Sequence, residues 1–264
     1  MKISDKAVIG KNVKMGADVE VGPFAIIEDG SELGPRVKVW PHAYICKGTK
    51  IGEETQVHMG AVVGHIPQDL AFEGKDTYVE IGKRNIIREY VTIHRGTKEG
   101  SVTKIGDSCY FMAISHVGHN CNIGNNVIVA NGALLAGYVE VGDSAFISGN
   151  VVIHQFCRIG TLAMIGGFSG INKDVPPYML VRGPSVVRAI NLVGLRRAKV
   201  PRTSIEGIRQ AFKLIYASDL NTAQAMEEVK KLASSKELNN IIDFVATSKR
   251  GICKSKASDE EYFE

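Results

Sequence analysis

Nowhere in the sequence does an apolar run approach the roughly eighteen residues that a membrane helix needs, so a membrane-spanning protein is not expected. No basic stretch followed by an apolar one precedes the first patterned residues, so no secretory signal is expected either. Apolar residues make up 44% and charged residues 23%, ordinary fractions that exclude disorder. Cysteine is sparse, at five in 264 residues. Cys109, Cys121 and Cys157 fall among small apolar positions and read as core residues, not as a disulfide framework. A reducing, cytoplasmic setting is the expectation. The net charge of +4 is mild. It suits an acidic partner or an anionic substrate without requiring one, and no nucleic-acid partner is expected.

What the chain has instead is a six-residue period. Every sixth residue gives Ile3, Ile9, Met15, Val21, Ile27, Leu33, Val39, Ile45, Ile51, Val57 and Val63. The series resumes in phase at Ile81, Ile87 and Ile93, and again from Ile105 through Phe111, Val117 and Ile123 to Ile171. Two places earlier the residue is small or β-branched, as at Ala7, Val13, Val19, Ala25 and Ala133. Such a period fits neither a helix nor a sandwich and predicts a parallel β-helix with three short strands, eighteen residues, to a coil. Side chains alternate along a strand, so the aliphatic residue and the small one two before it both point inward. Glycine often follows the aliphatic residue, as in Ile9-Gly10, Val21-Gly22 and Ile51-Gly52, and is expected to supply permissive dihedrals at the corner. Each coil can bury its core only by stacking on its neighbours.

Two segments interrupt the array without shifting its phase, near 65–78 and 95–104. Loops leaving a rigid scaffold commonly carry function. The β-helix is expected over 1–181. Beyond Ile171, Val175-Pro176-Pro177-Tyr178 reads as a turn, and a basic segment runs from Arg182 to Arg202. Thr203–Glu206 and Ser234–Glu237 have the capping-box pattern ahead of apolar residues at helical spacing, and residues 223–233 suit a helix between them. An α-helical domain is therefore expected over 182–264, frayed from Lys254.

An eighteen-residue coil makes vertical neighbours predictable. His119, Gly137 and Gln155 should stack along one edge of the prism, and His116 and His119 should project from its outer surface. An outward pair of histidines has three readings: a solvated surface pair, a metal site, or half of an active site completed by a neighbouring subunit. A metal needs three or four ligands, as in the γ-type carbonic anhydrases, which place three histidines on zinc in this fold. His94 or His154 could be invoked as the third, but no spacing singles out a trio. Catalysis needs a base that titrates near the operating pH, and histidine does so at roughly 6.5.

Several motifs occur in order: Gln68-Asp69-Leu70, Ile93-His94-Arg95-Gly96, His116-Val117-Gly118-His119, Leu135-Ala136-Gly137, His154-Gln155-Phe156, Asp174-Val175-Pro176-Pro177-Tyr178 and Lys213-Leu214-Ile215-Tyr216. Over nearly its whole length the chain resembles the UDP-N-acetylglucosamine acyltransferases, which open lipid A biosynthesis. The resemblance implies a left-handed parallel β-helix of hexapeptide repeats with a C-terminal α-helical domain. It implies transfer of a 3-hydroxyacyl chain from acyl carrier protein to the sugar nucleotide's 3-hydroxyl. His119 falls on the family's general base, and Gly137 on the backbone N–H that meets the oxyanion. Gln68, Asp69, His116, His154, Gln155, Asn191 and Arg197 fall on substrate-binding positions. Gly167 falls where residue size limits acyl-chain length, although it also reads as a corner glycine. The resemblance further implies a homotrimer with sites between prisms, and neither metal nor diffusible cofactor, because the donor carries its own phosphopantetheine. Arg182, Arg188, Arg196, Lys199 and Arg202 would suit the acidic carrier protein, or form a solvated basic face.

The chain departs from the family pattern at five positions. Tyr138 stands where a histidine is common and Asn120 where an aspartate is. Ala71 replaces a lysine, Val193 a glutamate and Ala198 an arginine. Asn120 can orient an imidazole but lends no charge to its cation. A related enzyme that acylates a 3-amino sugar, and a noncatalytic β-helix scaffold, are the alternatives.

Overall fold

A computed structural model describes residues 1–255. Among the described residues, sheets of eleven, nine and eight strands, parallel except for one strand at the end of the first, form the sides of a triangular prism. The first contains the strands Lys2–Ile3 and Glu20–Val21, the second Val8–Ile9 and Ile26–Ile27, the third Lys14–Met15 and Glu32–Leu33. Partners in successive coils are eighteen apart, as in Ile3↔Val21 and Ile9↔Ile27, and the coil is left-handed. The inward column is dry: Val57, Val63, Ile87, Ile93, Val117, Leu135, Ile147 and Ile153 are fully buried, with Ala25, Ala61, Cys121 and Ala133 beneath them. Each coil thus contributes its aliphatic ring only because the next one covers it.

The glycines after the aliphatic residues do not serve the purpose expected of them. Gly10, Gly22 and Gly52 do not take left-handed dihedrals. A Cβ on Gly52 would instead lie 2.5 Å from the carbonyl carbon and oxygen of Gly82 in the next coil. What excludes larger residues there is the close stacking of the coils. The left-handed backbone falls two residues later and is mostly carried by other residues: Phe24, His42, Tyr90, Ile114 and Phe168 on the corner between first and second sheets, Asn120, Tyr138 and Phe156 on the next, and Asp18, Arg36, Glu54 and Arg84 on the third.

The interruptions lie between the strands Val62–His65 and Tyr78–Ile81, and between Thr92–His94 and Val102–Ile105. The second is therefore shorter than expected, ending at 101 because Val102, Thr103 and Lys104 pair with Tyr78, Val79 and Glu80. Val63↔Ile93 and Ile93↔Val117 keep the register across both. Both loops leave the same corner, between second and third sheets, in consecutive coils.

The prism extends further than expected. Residues 182–190 are not helical: Met179–Arg182 and Val186–Ile190 form an antiparallel hairpin on the first sheet, turning through Gly183 and Ser185 with positive φ. Among the described residues four helices follow, α1 (Leu192–Arg197), α2 (Arg202–Tyr216), α3 (Thr222–Lys230) and α4 (Lys236–Ala246). Neither expected capping box forms. Helix α2 begins behind Pro201, so Thr203 lies inside it, and α4 is capped by Ser235, one residue later than expected. The capping box is on α3, between Asn221 and Gln224. Ile208, Ala211, Val229 and Ile241 close the small helical core. Lys254 is not frayed, since Val187 N–H donates to its carbonyl; the rest of the expected frayed tail lies outside the described residues.

Candidate active site

The corner that carries both loops also carries His119, Gly137 and Gln155. Tyr138 N–H donates to the His119 carbonyl at 2.9 Å and Phe156 N–H to that of Gly137 at 3.1 Å, so the three positions stack. Both histidines lie outside the prism core as expected, but the reading of them as a solvated pair fails. His119 is only 7% exposed, because the two loops fold over it, and His116 is half-buried. From the first loop, Asp69 Oδ2 lies 3.5 Å from His119 Nε2. From the second, Thr97 Oγ1 lies 2.7 Å from Nδ1. Asn120 Oδ1 is 3.0 Å from the same nitrogen. The loops are tied together: Arg95 lies over the Phe72 ring at 5.6 Å, and Gly100 N–H donates to the Asp76 carbonyl.

Gly137 meets the imidazole face to backbone. A methyl group there would fall 2.4 Å from both Cε1 and Nε2 of His119. Its N–H belongs to a corner position outside the strand ladder. That is why Pro23, Pro35 and Pro41 are tolerated at equivalent corners, and why Lys83, Asp107 and Asn125 donate their N–H groups to side chains of the next coil. At Gly137 the N–H has no partner among the described residues. A backbone donor beside an imidazole nitrogen is what acyl transfer needs: a base for the nucleophile and a donor for the oxyanion.

A second row of histidines runs behind His119. His116 Nδ1 is 2.7 Å from Thr92 Oγ1, its ring is edge-on to His94 at 4.8 Å, and His94 is tilted against His65 at 6.2 Å. Burial, then the neighbouring His116, His65 and His119, pull the His94 pKa down to about 4. Burial and His119 lower that of His116. Among the described residues no group of three His, Cys, Asp or Glu is arranged to hold a metal ion. Tyr138 stands edge-on to His119 at 5.3 Å and stacks on Phe156 at 5.0 Å, forming an aromatic wall.

The remaining candidates lie apart. Gln68 and His154 are exposed near the same corner, and Gln155 is half-buried there. Asn191 is buried and its amide is engaged: Oδ1 accepts the Gly194 N–H and Nδ2 donates to the Leu162 carbonyl, so it caps α1. Arg197 is exposed in the last turn of that helix. Gly167 lies on the corner between first and second sheets. Its φ is not left-handed, and an added Cβ would sit 3.3 Å from the Gly149 carbonyl, so the backbone does not demand glycine. Thr97 was not legible from the sequence, because a residue inside a loop has no place in the coil arithmetic.

Two family models match: that described as Udp N-acetylglucosamine O-acyltransferase, domain 2, over residues 174–253, and that of the bacterial transferase hexapeptide, six repeats, over 103–137. A protein of Alkalilimnicola ehrlichii named acyl-[acyl-carrier-protein]–UDP-N-acetylglucosamine O-acyltransferase is 45% identical across 96% of this chain and 99% of its own. A Synechocystis protein of the same name is 49% identical, over 68% of this chain but 65% of its own length. The crystal structure of a UDP-N-acetylglucosamine acyltransferase from Bacteroides fragilis superimposes with a TM-score of 0.92 at 41% identity, covering 94% of this chain and 98% of that one. Motifs, fold and relatives agree, and the chain belongs to the UDP-N-acetylglucosamine O-acyltransferase family.

Proposed function

We propose that this protein transfers a 3-hydroxyacyl chain from acyl carrier protein to the 3-hydroxyl of UDP-N-acetylglucosamine, the first step of lipid A biosynthesis. The observation that carries the reading is the unpaired Gly137 N–H set against the imidazole of His119. His119 Nε2 takes the proton of the sugar hydroxyl as its oxygen attacks the thioester carbonyl. The C–O bond forms and the carbonyl oxygen becomes an oxyanion, which accepts the Gly137 N–H. Collapse breaks the C–S bond, and the proton on His119 passes to the leaving thiolate. The donor brings its own phosphopantetheine, so the protein supplies neither a metal nor a diffusible cofactor. His116, Gln68, Asp69, His154 and Gln155 line the acceptor side, Arg197 reaches the nucleotide from a neighbouring subunit on the helix that Asn191 caps, and Gly167 leaves room for a longer acyl chain.

A homotrimer is part of this reading. The outward residues of the third sheet are charged or polar, among them Lys14, Glu32, Lys50, Glu80, Lys104 and Arg158. Those of the second are largely apolar, with Val8, Ile26, Leu134 and Val152, and those of the first become so after Lys2, Glu20, Lys38 and Gln56, with Ile86, Tyr110, Ile128, Phe146 and Met164. Their shared corner holds Phe24, Tyr90, Ile114 and Phe168, all exposed. Two apolar faces meeting at an apolar edge suit threefold packing around that edge. No helix among the described residues is long and apolar enough to cross a membrane. Cys46, Cys109, Cys121 and Cys157 are buried free thiols, which suits a reducing, cytoplasmic setting.

The test is transfer of acyl chain from 3-hydroxyacyl carrier protein to UDP-N-acetylglucosamine. The expected result is turnover by the wild type and a loss of about 10²- to 10⁴-fold in His119→Ala. Turnover confined to the 3-amino sugar would overturn the O-acyl assignment, and wild-type rates in His119→Ala would remove the base.

A further inference from the structure

Asn120 replaces the acid common in this family beside the base, and the second loop shows what acts in its stead. The Thr97 N–H donates to Asn120 Oδ1 at 3.0 Å. A backbone N–H can only donate, so this end of the Asn120 amide is its oxygen. The same oxygen faces His119 Nδ1 at 3.0 Å. An amide oxygen only accepts, so Nδ1 carries the imidazole hydrogen and Nε2, beside the Gly137 backbone and 3.5 Å from Asp69 Oδ2, keeps its lone pair. The Thr97 hydroxyl is the nearer partner of Nδ1, at 2.7 Å, and lies 3.4 Å from Asp69 Oδ2. With its own hydrogen directed to that carboxylate, Thr97 Oγ1 presents a lone pair to Nδ1–H. One residue thus sets the tautomer twice, through Asn120 and directly, and links the imidazole to a negative charge that Asn120 cannot supply.

The placement of Thr97 is itself built in. Thr97 is 6% exposed. Gly96 lets its loop pass close to Ser101, where a Cβ would fall 2.6 Å from the Ser101 carbonyl oxygen. Tyr78 N–H donates to that same carbonyl at 3.0 Å, so the end of the first loop clamps the second. Asn120 is held from its other side by donation of its N–H to Thr103 Oγ1 at 2.8 Å.

We propose that Thr97 is the positioning residue of this active site: its hydroxyl fixes the working tautomer of His119 and relays the Asp69 carboxylate to Nδ1. The proposal rests on the acyl-transfer reading for its kinetic consequence, but not for its structural one. Thr97→Val keeps shape and backbone and removes only the hydroxyl. The expected result is a fall in kcat of roughly 10- to 100-fold with KM for the nucleotide sugar within about twofold. Thr97→Ser restores the rate. A substrate-free readout accompanies these: the His119 Nδ1–H proton gives a protected downfield resonance in the wild type and Thr97→Ser, and moves upfield in Thr97→Val, where Asn120 Oδ1 is the acceptor that remains. An unmoved resonance with unchanged kcat in Thr97→Val overturns the proposal, as does a Thr97→Ser variant as impaired as Thr97→Val. A wild type that transfers no acyl chain overturns the reaction instead, and the resonance then decides the role of Thr97 alone.

Discussion

At the scale of single residues, two positions make opposite demands on the site. Gly137 must stay bare: in Gly137→Ala the new methyl meets an imidazole that Thr97 and Asn120 hold in place. We expect kcat to fall at least about 100-fold, as when an oxyanion donor is lost, with the thermal midpoint little changed. His94 must stay neutral. Its pKa is pulled from 6.5 to about 4, so between those values the unfolded chain binds the proton and the folded chain does not. Stability should therefore be fully present above about pH 6.5 and fall as the pH drops toward 4, by roughly 2–3 kcal/mol from this residue. Urea midpoints measured at pH 7.5 and 5 should show that loss in the wild type and a smaller one in His94→Gln. The histidines and Gly137 were legible in the sequence, because a coil of fixed length gives each corner residue an address. Their burial was not, because it depends on loops that the period does not describe.

Elements follow the same division. The strands were readable, since two-residue strands with an inward aliphatic residue leave no other pattern. The hairpin Met179–Arg182 and Val186–Ile190 was hidden inside a basic stretch, where charge suggested a solvated face and backbone pairing decided otherwise. Helix starts were misplaced by one or two residues because capping motifs are short and recur by chance, whereas the working box at Asn221 and Gln224 lacked the Ser/Thr–Glu form looked for. Asn221→Ala should cost about 1 kcal/mol in urea unfolding while leaving acyl transfer unchanged. Gly52→Ala forces a methyl against the Gly82 backbone and should cost about 1–3 kcal/mol. Gly30→Asn, where positive φ and open space meet, should be nearly neutral.

For the whole molecule, the distribution of outward residues separates one solvated side from two that need cover. If the proposed trimer forms, Ile128→Asp places a charge in its interface on the first sheet and should reduce the mass seen by sedimentation from three chains to one, with activity lost in parallel. Lys104→Asp on the charged side should leave both unchanged. The left-handed corners add a consequence of their own. Ile114 holds φ at 65°, a conformation costly for a β-branched residue, while standing 65% exposed in the single chain. Asparagine there would relieve about 1 kcal/mol of that strain. Selection acting on the lone chain would favour the change, and selection acting on the assembly would oppose it. Ile114→Asn should accordingly refold more readily at high dilution and associate more weakly, so that a gain for the individual is a loss for the collective.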